Sequence, residues 1–207
     1  MSIEIEHLDS FHMDVLKEIG NIGSGSAVTA LAKMINKKVN MQVPEVRILE
    51  IEGVQGLLGG AEMPVVGVLL QVKGAIAGDI MFVLRLNEAR ALLELIMGKM
   101  ALDKETAFTD MEVSAIKEIG NILVGSYVSA LSTLTGLSIK TTVPEMAIDM
   151  AGAILSVPAI EFSKNSNYVL FIETVFLDGN ATVSGNFFLI PDMHSYDTLL
   201  RALGVEN

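Results

Sequence analysis

Residues 17–31 read KEIGNIGSGSAVTAL, and residues 117–131 read KEIGNILVGSYVSAL. Eleven of the fifteen positions agree at an offset of 100, and Val43-Pro44-Glu45 returns as Val143-Pro144-Glu145. The offset widens to 107 further on. There Gly78-Asp79-Ile80-Met81-Phe82 parallels Gly185-Asn186-Phe187-Phe188-Leu189, and Leu92-Leu93 parallels Leu199-Leu200. Two copies are too few for a solenoid, whose stability comes from stacking several units. The repeat predicts one duplicated domain over residues 1–207 with approximate two-fold symmetry, repeat 1 at about 9–98 and repeat 2 at about 109–204.

Working outward from the quoted stretches, a long helix is expected over 10–35, with Val15, Ile19 and Ile22 in one apolar row and Leu16, Ala27, Leu31 and Met34 extending the buried face. Its twin is expected over 110–134, opened by the capping box Thr109-x-x-Glu112 and closed by Gly136 in the left-handed conformation. β-Branched runs follow each helix, at 39–43, 46–51, 65–72 and 75–84, then at 139–143, 153–157, 169–177 and 182–190. Asp178-Gly179 marks a hairpin turn between the last two. Shorter helices at 88–97 and about 195–203 close the halves, and 98–107 reads as a charged linker. Consecutive strands joined by hairpins favour an α+β fold: each half a long helix, several mostly antiparallel strands and a shorter helix.

Composition narrows the functions. The 207 residues carry 14 basic and 25 acidic side chains, a net charge of −11, with −4 up to Asp103 and −7 beyond it. Neither half has a basic cluster to neutralise phosphates, so nucleic acid is not an expected partner. The absence of cysteine excludes a disulfide scaffold, a thiolate nucleophile and cysteine-held metal centres. The N-terminal MSIEIEHLDS is not a secretory signal, and no apolar run reaches the ~18–20 residues that span a bilayer, so a soluble, cytoplasmic protein with no membrane contact is expected. His7, His12 and His194 do not recur in the other half and read as surface or capping residues, not metal ligands. Gly20-Asn21-Ile22-Gly23-Ser24-Gly25 is not a nucleotide loop: no strand precedes it, and its glycine order is wrong.

At ~100° per residue, Asp14, Glu18, Asn21 and Gly25 share one outward arc of the first long helix, and Ser114, Glu118, Asn121 and Gly125 share the same arc of the second. A single Glu-x-x-Asn is ordinary helix surface. Surface positions are the ones expected to diverge after duplication, yet these persist while Gly23 became Leu123 and Ala27 became Tyr127. Asparagine and mid-helix glycine both oppose helix formation, glycine by ~1 kcal/mol relative to alanine. Close packing accounts for the glycines as well as function does, but it does not account for an outward asparagine.

Asp14-x3-Glu18-x2-Asn21-x22-Pro44 and Ser114-x3-Glu118-x2-Asn121-x22-Pro144 resemble the signature of the CheC/CheX/FliY family of chemotaxis phosphatases, met at all four positions in both copies. The resemblance covers nearly the whole chain. It implies hydrolysis of the aspartyl phosphate of the response regulator CheY, with Asn21 and Asn121 positioning the attacking water and Glu18 and Glu118 pairing with the receiver's lysine. A carboxamide both donates and accepts hydrogen bonds, so it can orient a water without acting as a base. Asp14, Ser114, Gly25, Gly125, Pro44 and Pro144 are expected in support. No cofactor of the chain's own is implied, because the receiver brings Mg2+. The resemblance also implies the receptor deamidase CheD as a second partner, with the strands at 78–84 and 185–190, or a second-half helix, as candidate surfaces. The alternative function is a non-enzymatic chemotaxis or flagellar-switch protein whose stripe only docks CheY-P or CheD.

Overall fold

The computed structural model describes residues 10–36, 38–42, 46–98, 107–162, 168–178 and 181–204. The first half runs α1 (Ser10–Ile35), β1 (Asn40–Gln42), β2 (Val46–Glu50), α2 (Ile51–Leu58), β3 (Pro64–Gly74), β4 (Gly78–Arg85) and α3 (Leu86–Met97). The second half repeats that order as α4 (Asp110–Thr135), β5 (Ile139–Thr141), β6 (Glu145–Met150), α5 (Ala151–Phe162), β7 (Tyr168–Asp178), β8 (Ala181–Pro191) and α6 (Met193–Ala202). The α+β duplication, the long helices and the closing helices agree with the sequence reading. The capping box is in place: Thr109 Oγ1 accepts from Glu112 N–H (3.3 Å), and Glu112 Oε2 accepts from Thr109 N–H (2.6 Å).

All eight strands form one antiparallel sheet in the order β1-β7-β8-β4-β3-β5, with β2 also on β7 and β6 also on β3. The pseudo-two-fold passes between β4 and β8, which pair Ile80 with Leu189 and Phe82 with Phe187. Each half therefore carries the other's edge. β3 of the first half holds β5 and β6, and β7 of the second half holds β1 and β2.

Strand alternation sends side chains to two apolar layers. Ile80, Phe82, Leu84, Val66, Val68, Leu70, Val183 and Phe187 meet α1, α3, α4 and α6 on one face. Met81, Val83, Val65, Phe171, Phe188 and Ile190 meet Val54 and Leu58 of α2 and Ala151, Ile154 and Leu155 of α5 on the other. The central strand β4 is accordingly buried from Gly78 to Leu84. Full burial of an apolar side chain is worth ~1.5–3 kcal/mol, which is why the strand reads as a continuous apolar run from Ile80 to Leu84.

Several expectations are corrected. Residues 153–157 are helical, within α5: Ala151, Ile154 and Leu155 follow helical spacing onto the second face, and a short apolar run does not by itself distinguish strand from helix. Its partner α2 was hidden by Gly53 and Gly56, whose helix cost is offset by burying Val54 and Leu58 and by Arg85, which donates to the Leu57 and Leu58 carbonyls at the helix end. β6 was not expected, and β4 starts at Gly78 instead of residue 75, because Gly74 turns at φ 119° and Ala75 N–H bonds Ser138 O. Ile22 and Met34, assigned to the buried face of α1, are 36% and 41% exposed. The linker at 99–106 and Gly179 of the expected turn lie outside the described residues, although Asp178 and Ala181 do pair.

α1 and α4 lie against each other on the first face. Tyr127 of α4, 3% exposed, is central to that contact: its ring covers Gly23, and its hydroxyl is 2.7 Å from Ser24 Oγ and 3.0 Å from Thr174 Oγ1. Burial pushes the Tyr127 hydroxyl above the ordinary tyrosine value of 10.0, with the Ser24 and Thr174 hydrogen bonds pulling the other way. The unfolded chain therefore loses this proton first as pH rises. Its contribution to stability is complete below about pH 10 and is lost as pH climbs through the raised folded value. Denaturant titrations between pH 8 and 11 should show a falling alkaline arm that is flatter in Tyr127→Phe, and identical arms would contradict this assignment.

Candidate functional site

On α1, Asp14, Glu18 and Gly25 are exposed and Asn21 is half-buried; on α4, Ser114 and Glu118 are exposed and Asn121 and Gly125 half-buried. Helical periodicity thus places both stripes on the outer surface, as their arc predicts. Asn21 Nδ2 donates a long hydrogen bond to Glu18 Oε2 (3.5 Å), the pairing that three-residue spacing allows. Asn21 Oδ1 is shielded and has no hydrogen-bond partner among the described residues, so its acceptor capacity is unmet. Lys17 pairs with Asp14 at 3.8 Å, an exposed contact of little energetic weight.

The glycines divide into two kinds. A Cβ on Gly23 would sit 2.5 Å from Tyr127 Cδ1, and one on Gly120 would sit 2.8 Å from Val68 Cγ1. Those two are required by packing. A Cβ on Gly25 or Gly125 would meet nothing within 4 Å, so the interior gives no reason for glycine at the end of either stripe.

Pro144 is half-buried in the break between β5 and β6 on the sheet edge, beside Thr142, whose N–H and Oγ1 bond Gln71 O and N–H at 3.0 Å each. Proline suits such an edge break because it has no N–H to present. Pro44 lies outside the described residues. The strands at 78–84 and 185–190 are interior to the sheet and offer no edge to a partner, which removes both as CheD surfaces of that kind. The sequence reading missed the Ser24-Tyr127-Thr174 hydroxyl cluster, although the change of Ala27 to Tyr127 between the repeats signalled it. No described helix is long and apolar enough to cross a membrane.

The model of the CheC-like family matches residues 11–48 and 111–148, the two stretches that hold the stripes and the first strands. The CheY-P phosphatase CheC of Bacillus subtilis is 34% identical over 195 residues, 93% of each chain. The chain belongs to the CheC-like family. FliY of Thermotoga maritima shares the CheC-like architecture, with a TM-score of 0.73 at 21% identity over 96% of this chain and 98% of that one. The CheX-CheY-BeF3-Mg2+ complex of Borrelia burgdorferi matches more loosely, with a TM-score of 0.51 at 15% identity over 84% of this chain and 97% of that one.

The two kinds of glycine respond oppositely to one methyl group. Gly125→Ala should gain about 0.4–1 kcal/mol of stability by reducing unfolded-state freedom, and Gly120→Ala should lose about 1–3 kcal/mol by overpacking Val68. Urea denaturation measures both, and a loss at Gly125 would place that residue among the packing glycines.

Proposed function

We propose that this CheC-like chain is a cytoplasmic phosphatase that hydrolyses the aspartyl phosphate of a CheY-type response regulator at two sites, one on α1 and one on α4. The observation that carries the reading is the doubled outward stripe, in which a carboxylate, a carboxamide and an open glycine recur on two helices. A Bacillus subtilis relative bearing the name CheY-P phosphatase supports it, as does a CheX of similar fold solved with CheY, BeF3 and Mg2+.

Hydrolysis of an acyl phosphate needs little from the visiting protein. Water attacks phosphorus in line, the bond from phosphorus to the aspartyl oxygen breaks, and inorganic phosphate leaves a free carboxylate. Asn21 and Asn121 orient that water through their carboxamides, which can both donate and accept, an arrangement that lowers the barrier through positioning and not through proton abstraction. Glu18 and Glu118, exposed and without an ion pair among the described residues, bind the receiver's lysine and anchor the helix in the receiver's active site. Mg2+ belongs to the receiver substrate. Gly25 and Gly125 let the receiver backbone approach, Asp14 and Ser114 support the stripes, and Pro44 and Pro144 fix the strand breaks. CheD is proposed as a second partner on the family resemblance.

Loss of label from a 32P-phosphorylated receiver tests the mechanism. The Asn21→Ala/Asn121→Ala protein should accelerate hydrolysis at least about 100-fold less than the parent while still binding the receiver, in line with the loss of a water-positioning group. Parental hydrolysis by the double variant would reject the mechanism. A parent that binds without accelerating hydrolysis would leave only the docking function.

A further inference from the structure

The four differences between residues 17–31 and 117–131 are not scattered. Three of them, Gly23/Leu123, Ser24/Val124 and Ala27/Tyr127, belong to the α1–α4 contact described above, and the fourth is the mild exchange Thr29/Ser129. On one side of the pseudo-two-fold a large ring faces a missing side chain. On the other, Leu123 and Ala27 are both fully buried in the same core.

The exchange leaves the two stripes with different backing. Behind Asn21 stand three hydroxyls, those of Ser24, Tyr127 and Thr174, and two of these come from the second half. The counterparts behind Asn121 are Val124, Ala27 and, by the matching strand registers of β7 and β3, Leu70. None carries a polar side chain. Ser24 is three residues beyond Asn21, so their β-carbons are neighbours about 5–6 Å apart, and a bond that fixes Ser24 also fixes the rotation of the turn that presents Asn21. Ser24 and Tyr127 are 5% and 3% exposed, and the Tyr127 ring is held by Phe187 at 4.7 Å, so the anchor is rigid.

We propose that Tyr127 is a positioning residue for the first site alone, holding through Ser24 the turn of α1 that carries Asn21. The inference rests on the phosphatase reading. Tyr127 is buried and acts through its neighbour, not on the receiver. The consequence is a built-in inequality: the first site depends on a side chain from the other repeat, and the second is supported by apolar packing.

Steady-state hydrolysis of phosphorylated receiver in single-site backgrounds separates the two. Asn121→Ala leaves the first site and Asn21→Ala leaves the second. Tyr127→Phe keeps the ring against Gly23 and Phe187 and removes only the hydroxyl. In the Asn121→Ala background it should lower kcat about two- to tenfold with KM changed less than about twofold, since docking is left intact. In the Asn21→Ala background both constants should stay the same. Ser24→Ala should reproduce the first effect, and Ser24→Ala combined with Tyr127→Phe should be no worse than either alone. An equal fall in both backgrounds would assign Tyr127 to the fold as a whole and overturn the proposal, as would no fall in either. If the parent does not accelerate hydrolysis, or if Asn21→Ala/Asn121→Ala retains parental activity, the phosphatase function or its asparagine mechanism fails, and that failure is seen before Tyr127 is altered.

Discussion

Because β3 pairs with β5 and β6 while β7 pairs with β1 and β2, neither half can complete its sheet without the other. The exchange of edge strands fixes everything above it. It sets β4 against β8 at the centre, leaves both faces of the sheet to be covered, and brings the long helices of the two halves to one face, where they pack against each other. The two Glu/Asn stripes are outward because the inward sides of α1 and α4 are committed to the sheet and to each other. Duplication of the site is thus a property of the fold's symmetry.

The same packing explains which helix positions diverged. At the α1–α4 contact the Tyr127 ring requires a glycine at position 23, so those two positions are coupled by packing, and Ser24 joins them through its hydroxyl. The glutamate, asparagine and glycine positions of the stripes are not under that constraint, yet they did not change, whereas Asp14 became Ser114. The receiver contact proposed above accounts for the glutamate, asparagine and glycine retained there.

The sequence was most legible where one periodicity or one local motif decides structure. The long helices, the Thr109 capping box, the hairpin of β7 and β8 and the outward stripes all follow from spacing within a few residues. What escaped was decided by tertiary burial. α5 carries an apolar run that suits strand or helix, and only the second face of the sheet selects the helix; α2 has glycines that argue against it until Val54 and Leu58 are buried. Ile22 follows the apolar row of α1 but emerges at the surface, since at ~100° per residue it lies on the edge of that row nearest the stripe, about 40° from Glu18. The hydroxyl cluster around Tyr127 joins residues 103 and 47 positions apart, which no local pattern reports.

The central claim is that each long helix of this family member presents a water-positioning asparagine to a receiver's phosphorylation site. A crystal structure of the chain with a receiver domain activated by BeF3 and Mg2+ tests it most directly. The account predicts one receiver on α1 and one on α4, with Glu18 or Glu118 within about 3 Å of the receiver lysine and Asn21 or Asn121 within hydrogen-bond reach of a water in line with the beryllium. A receiver seated on the sheet edge or on α2 and α5, with both stripes left in solvent, would contradict it.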